Sequence, residues 1–261
     1  MYVGFILLIS INMQQSSLTP FRIEDAQLAA HPAREAGVLN EKRCKNDNLI
    51  YLPVSLGEAI DKLTILDIKL QKINDNRRFD VQKEYDLLYI KLDHFVAKYS
   101  DLYQTMKKVN ILIWDMMDLL RDGSLSENEY LRVCRECIEF NDIRFRVKNK
   151  INYVSNSELR EQKGYRINRI VIDIADDIVE IDEFIRPIRY LSFIYDEIVI
   201  VSCNHQLITE FQYDPTIKFE NGFKIFENEH IFMLSKKEYN KTELYSIFRL
   251  DENMVNSILG Y

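Results

Sequence analysis

A chain of 261 residues that is 47% apolar and 29% charged can bury a substantial core, and carries too many charges to be embedded in a membrane. Its net charge of −7 is uneven: 19 Lys and Arg face 19 Asp and Glu over residues 55–165, against 10 and 17 over residues 166–261. The acidity therefore belongs to the C-terminal part, which repels phosphate and excludes unspecific nucleic-acid binding. The cysteines Cys44, Cys134, Cys137 and Cys203 form no regular disulfide framework, so a reducing, cytoplasmic setting is expected.

Tyr2 to Met13 is almost entirely apolar, but no Lys or Arg precedes it. It is also shorter than the roughly 20 residues a membrane-spanning helix needs. It is expected to be neither a signal nor more than a weak anchor, and Met13 is an alternative start. Thr19-Pro20 can open a short helix to about Ala30, ended by His31-Pro32, and Asn40 to Asn48 is a polar loop. Residues 1–51 are thus expected to be a weakly ordered segment.

From Ser55 the pattern sharpens. Ser55 and Glu58 have capping-box spacing, and Leu56, Ile60, Leu63, Leu66, Leu70 and Ile73 form a helical stripe. Asn74 to Arg78 is a turn. A second stripe is Val81, Tyr85, Leu88, Leu92, Phe95 and Tyr99. A third is Leu102, Met106, Val109, Ile113, Met116 and Leu120, stopped at Gly123. Ser126 and Glu129 cap a fourth helix running to about Asn152. None of these stripes can be buried alone, so residues 52–165 predict an elongated antiparallel bundle of helices about 30 Å long.

After Tyr165 the period changes. Ile170–Ile174 and Glu197–Ser202 read as buried strands flanking a helix, Asp182 to Tyr195, with Pro187 inside it. A short helix (Asn204–Gln212), strands at Thr216–Phe219 and His230–Leu234, and a final helix at Glu252–Leu259 follow. The predicted fold class is therefore α+β in two parts, a long-helix bundle and a small Rossmann-like βαβ unit over residues 166–261.

Chemistry-bearing patterns are sparse. The junction after the first strand, Ala175-Asp176-Asp177-Ile178-Val179-Glu180, has no glycine and three carboxylates, which oppose a phosphate. Cys134 and Cys137 share an apolar helix face and read as core residues. The four histidines are scattered, and no metal or cofactor is expected. Cys203 and His205 lack a third, orienting group.

Arg144, Arg146, Lys148 and Lys150, with Arg160 and Lys163 beyond them, form the only basic run. Arg144 and Lys148 share a face and, with Lys163, are candidates to hold a phosphate or a nucleotide-sugar. The alternative is a solvated helix end complementing its dipole. A second candidate group is polar: Glu58, Asp61 and Lys62, the first and last an i,i+4 pair, with Asn110, Trp114, Asp115, Asn141 and Asp142 near the apolar seams. These residues either form an inter-helix network or line a cleft.

Two resemblances follow from these residues. The run from Val54 through Ser55-Leu56-Gly57-Glu58-Ala59-Ile60-Asp61-Lys62-Leu63 to Leu70 is followed by Lys108-Val109-Asn110, Trp114-Asp115, Asn141-Asp142-Ile143-Arg144 and Lys150-Ile151-Asn152. Together these motifs resemble a family of uncharacterised helical proteins of bacteria and large DNA viruses, often beside or fused to glycosyltransferases. Arg189-Tyr190-Leu191-Ser192-Phe193, Val201 and Asp214-Pro215-Thr216-Ile217 are similar to the first half of a glycosyltransferase with two Rossmann-like domains. Ala175-Asp176-Asp177 stands where such enzymes carry a Gly-Asp loop, and the second, nucleotide-sugar-holding domain has no counterpart. The resemblance implies a non-catalytic accessory or interaction protein of glycan synthesis, with a protein partner such as a glycosyltransferase. The alternatives are a nucleotide-sugar-dependent glycosyltransferase completed by a homo-oligomer or a partner, and a structural assembly protein.

Overall fold

The structure is a computed structural model of the chain. It describes residues 52–164, 167–175, 177–178, 181–220, 230–236 and 238–260. The expected segment at 2–13, the helix at 20–30, the loop at 40–48 and three residues of the acidic junction, Asp176, Val179 and Glu180, lie outside these. The described residues belong to one compact unit.

Four long helices come first: α1 (Leu56–Lys72), α2 (Arg77–Lys98), α3 (Ser100–Asp122) and α4 (Glu127–Val154). Ser55 Oγ accepts the Glu58 N–H at 3.2 Å and starts α1. The reciprocal half of that box is not used, because the Glu58 carboxylate turns to Lys148 instead. At α4 both halves form between Ser126 and Glu129. Gly123, at φ +72°, closes α3 in the left-handed region that favours glycine. α1 packs against α2, α3 and α4, and α3 packs along α4. Ile60, Leu63, Met106, Val109, Val147 and Ile151 are fully buried between them. Of the 22 residues of α2, only Leu92 and Phe95 are buried.

Four strands then form one parallel sheet: β1 (Arg169–Ile174), β2 (Glu197–Val201), β3 (Ile217–Glu220) and β4 (His230–Leu234), in the order β3-β2-β1-β4. β1 and β2 read as continuous apolar runs because both faces of the sheet are buried along them. On one face Ile170, Ile172, Ile198, Ile200 and Leu234 pack on α5 (Asp182–Ile194), α6 (His205–Phe211) and α7 (Lys241–Ile247), through Phe184, Ile188, Leu191, Leu207, Phe211, Leu244 and Phe248. Val171, Val199 and Val201 form a smaller cluster on the other face. The last helix is α8 (Glu252–Leu259), and Pro187 sits buried as the sixth residue of α5.

The helical part and the sheet part share a core. Tyr190 and Phe193 of α5, Tyr245 of α7, and Val255 and Ile258 of α8 join the cluster containing Ile60, Met106, Val109 and Val147. Among the described residues, no helix is long and apolar enough to cross a membrane.

Candidate functional site

The basic run lies on α4, where residues two apart point about 200° apart at 3.6 residues per turn. Its alternate members therefore serve opposite sides. Arg144 and Lys148 turn to α1, while Arg146 and Lys150 turn to the sheet part.

On the α1 side, Asp61 is 3% exposed. Its two oxygens accept Arg144 Nε at 2.8 Å and Arg144 Nη2 at 2.5 Å, a bidentate fork. Asn110 Nδ2 donates to Asp61 Oδ1 at 2.8 Å and Thr64 Oγ1 at 2.9 Å, and the Thr64 hydroxyl donates to the Asp61 carbonyl at 2.8 Å. Lys148 Nζ is held by Glu58 at 3.0 Å and also by Glu161. The Gly57 N–H donates to Oδ1 of the fully buried Asn152 at 2.7 Å.

Burial pulls the Arg144 guanidinium down, but its bond to Asp61 and the nearby Glu58 and Glu161 outweigh this and hold it above its ordinary value. Burial likewise lowers Lys148, and Glu161, Asp61 and Glu58 reverse the sign. Every charge in this cluster is paired. The arrangement fixes α1 and α3 on α4, and offers no unpaired acid or base for proton transfer.

The structure thus brings Glu58, Asp61, Asn110, Arg144 and Lys148 together. Other candidates go elsewhere: Lys62 pairs with Glu84 of α2, and Asp115 with Lys72. Glu58 and Lys62 pair with these partners rather than with each other. Trp114 is half-buried on α3, and Asn141 is exposed.

On the opposite side of α4 lies a cavity of about 290 Å³. Phe145, Arg146, Asn149, Lys150 and Tyr153 form its α4 wall. Arg160, Gln162, Lys163 and Ile167 come from the connector to β1, and Asp196, Pro215 and Thr216 from the segments entering β2 and β3. Arg146 Nε donates to Asp196 at 2.8 Å, and its Nη1 to the Phe193 carbonyl at 3.4 Å. Lys150 Nζ donates to both oxygens of Asp214, at 2.5 and 2.6 Å, and to Ser192 Oγ at 3.1 Å, while lying 5.1 Å above the Phe193 ring.

Burial pushes the Lys150 ammonium below its ordinary value although Asp214 pulls the other way. Lys163 donates to Asp142 at 2.6 Å and lies 4.7 Å over the Phe145 ring. Arg160 is exposed and has no partner among the described residues. Asn149 Oδ1 is buried and also lacks a hydrogen-bond partner.

A cleft between the long helices and the sheet is thus present. Of the three residues expected to bind phosphate, Lys163 lines it, whereas Arg144 and Lys148 face away. Arg146, Lys150 and Arg160 take the other positions. The signal that marks Arg146 and Lys150 is their two-residue offset from Arg144 and Lys148, which puts four cations on two faces.

Elsewhere, the Ala175 N–H donates to the Leu234 carbonyl at 3.0 Å and the Ile178 N–H to the Ala175 carbonyl at 3.2 Å. Ile178 and Ile181 are buried in the sheet core, so apolar side chains fill this strand-to-helix junction. Cys134 and Cys137 are half-buried thiols, and burial pushes Cys137 up. Among the described residues, no group of three His, Cys, Asp or Glu side chains could hold a metal ion.

Fold and site together define a mixed protein: eight helices and a four-stranded parallel sheet among the described residues, with α4 ion-paired to both sides. The model of a family of unknown function (DUF6165) matches residues 50–175, a stretch that takes in α1 to α4 and β1. No curated protein and no solved structure matches the chain.

Proposed function

We propose that this chain is a non-catalytic accessory protein of glycan synthesis. In this reading the four long helices form an antiparallel bundle, and the sheet part is a Rossmann-like half-domain that serves docking rather than turnover. One observation carries it: two of the cations at the junction are neutralised from the opposing part, Arg146 by Asp196 and Lys150 by Asp214, so these two hold the fold together instead of awaiting a diphosphate. The β1–α5 junction adds support, since two of its amides bond to backbone carbonyls and two isoleucines fill it. The link to glycan synthesis rests on the sequence resemblance of residues 52–165 and of the stretch around α5.

α2 supplies a surface for a partner. Phe79, Leu87 and Ile90 are 77%, 53% and 73% exposed and fall within about 80° on one side of the helix. The test has two arms. Purified chain incubated with UDP- and GDP-sugars is expected to release no nucleoside diphosphate. Tagged chain is expected to co-purify with a glycan-synthesising enzyme, and less so when Ile90 is replaced by Lys. Sugar transfer by the chain alone refutes the proposal, and so does the absence of such an enzyme from the co-purified proteins.

A second reading, a nucleotide-sugar-dependent transferase completed by a second copy or a partner, draws on the cavity beside Lys163 and Arg160. A thermal shift with a nucleotide-sugar that disappears in Lys163→Ala would favour it.

A further inference from the structure

We infer that the cavity between α4 and the sheet part is a binding site for a small hydroxylated anion, with the dimensions of one sugar ring carrying one phosphate or carboxylate. This goes beyond the accessory role and stands or falls separately from any protein partner.

The size argument comes first. The cavity has a volume of about 290 Å³. It lies at the lower edge of pockets that enclose drug-sized ligands, which begin at about 300 Å³. A monosaccharide derivative fits this space.

Charge and polarity set the chemistry. Arg146, Lys150 and Lys163 each carry a carboxylate partner, Asp196, Asp214 and Asp142. These pairs make a fixed polar wall with little net charge. Arg160 is the wall's uncompensated cation, and it is exposed. Its planar fork matches a carboxylate or a phosphate through two parallel N–H donors. Asn149 and Gln162 bring side-chain amides to the same lining, which can meet a ligand hydroxyl as donor or acceptor. The partly exposed ring of Tyr153 offers an apolar wall to the C–H face of a sugar. An anion, a hydroxyl donor and a small ring together meet these features. Inorganic phosphate carries the charge and a hydroxyl but no ring.

The test is isothermal titration of the full chain with glucose 1-phosphate, glucuronate, inorganic phosphate and glucose. Glucose 1-phosphate or glucuronate is expected to bind at least about tenfold more tightly than inorganic phosphate or glucose, and the tighter of the two identifies the anionic group. Arg160→Gln should weaken the preferred ligand at least about tenfold. The exposed, unpaired Arg160 side chain makes this variant fold like the parent, which its melting temperature checks. Arg132→Gln, on the far end of α4, should bind like the parent. Three results overturn the inference: neither sugar anion binding below about 10 mM, Arg160→Gln binding like the parent, or inorganic phosphate binding as tightly as the sugar anions.

Discussion

Replacing Gly57 by Ala probes the seat of α1 on α4 most directly. In an open helix the change gains up to about 1 kcal/mol, because alanine is the better helix former. At this position an added Cβ would lie 2.5 Å from the Lys148 carbonyl oxygen and 2.9 Å from Asn152 Oδ1. The nearer atom is backbone and cannot swing aside, so α1 must withdraw from α4. Overpacking of this kind costs about 1–3 kcal/mol. Withdrawal also stretches the 2.7 Å bond from the Gly57 N–H to Asn152, and leaving that buried acceptor unmet costs about 1–3 kcal/mol more. The net expectation is a loss of about 1–6 kcal/mol. It should appear in urea denaturation followed by circular dichroism as a lower midpoint at unchanged slope. Gly164→Ala is the control, since nothing lies within 4 Å of its added Cβ, and it should be neutral or slightly stabilising. Finding Gly57→Ala as stable as the parent would refute the close-approach argument.

Other predictions concern the two sides of α4. Asp61→Ala should destabilise by about 3–5 kcal/mol, because it strands the buried Arg144 guanidinium, and Asp61→Leu with Arg144→Leu should recover most of that loss in the same denaturation assay. Lys150→Met should lower the denaturation midpoint less than Lys150→Ala, because both lose the ammonium's contacts with Asp214, Ser192 and the Phe193 ring but Met keeps most of the buried aliphatic stem. Burial, helped by Asp251 and Glu139, pushes the Tyr190 phenol up to about 12 from 10.0. The folded state therefore holds this proton longer than the unfolded chain. Its contribution to stability is complete below pH 10 and is lost as pH rises through about 12. Tyr190→Phe should flatten that alkaline limb of the stability profile. Amide hydrogen exchange should be fastest, among the long helices, in the N-terminal half of α2, where no residue is buried.

Much of the architecture was legible from local rules. The stripes of α1 and α3 and the apolar runs of β1 and β2 follow the periods of helix and buried strand, and Gly123 and the Ser126 box mark ends that the structure reproduces. α7 escaped the reading because it is short and follows a polar stretch. Its signal was nevertheless present, a capping box from Asn240 to Glu243. The sheet order was not legible, since β4 pairs with β1 across some 60 residues and no local pattern encodes that.

The site was harder. Asp61 stands among exposed-looking charges, yet it is buried, because its partner Arg144 is 83 residues away. Periodicity separates the two faces of the basic run on α4. Which face meets the sheet depends on where Asp196 and Asp214 arrive in three dimensions.

The alternation on α4 has a consequence for how this chain can vary. Inserting or deleting one residue between Arg144 and Lys150 turns everything downstream by about 100°. Lys150 would then swing off Asp214, or Arg144 off Asp61, whichever end the fold allowed to move. Length changes are therefore tolerable in the turn before α4, while between residues 144 and 150 the residue count itself is under constraint.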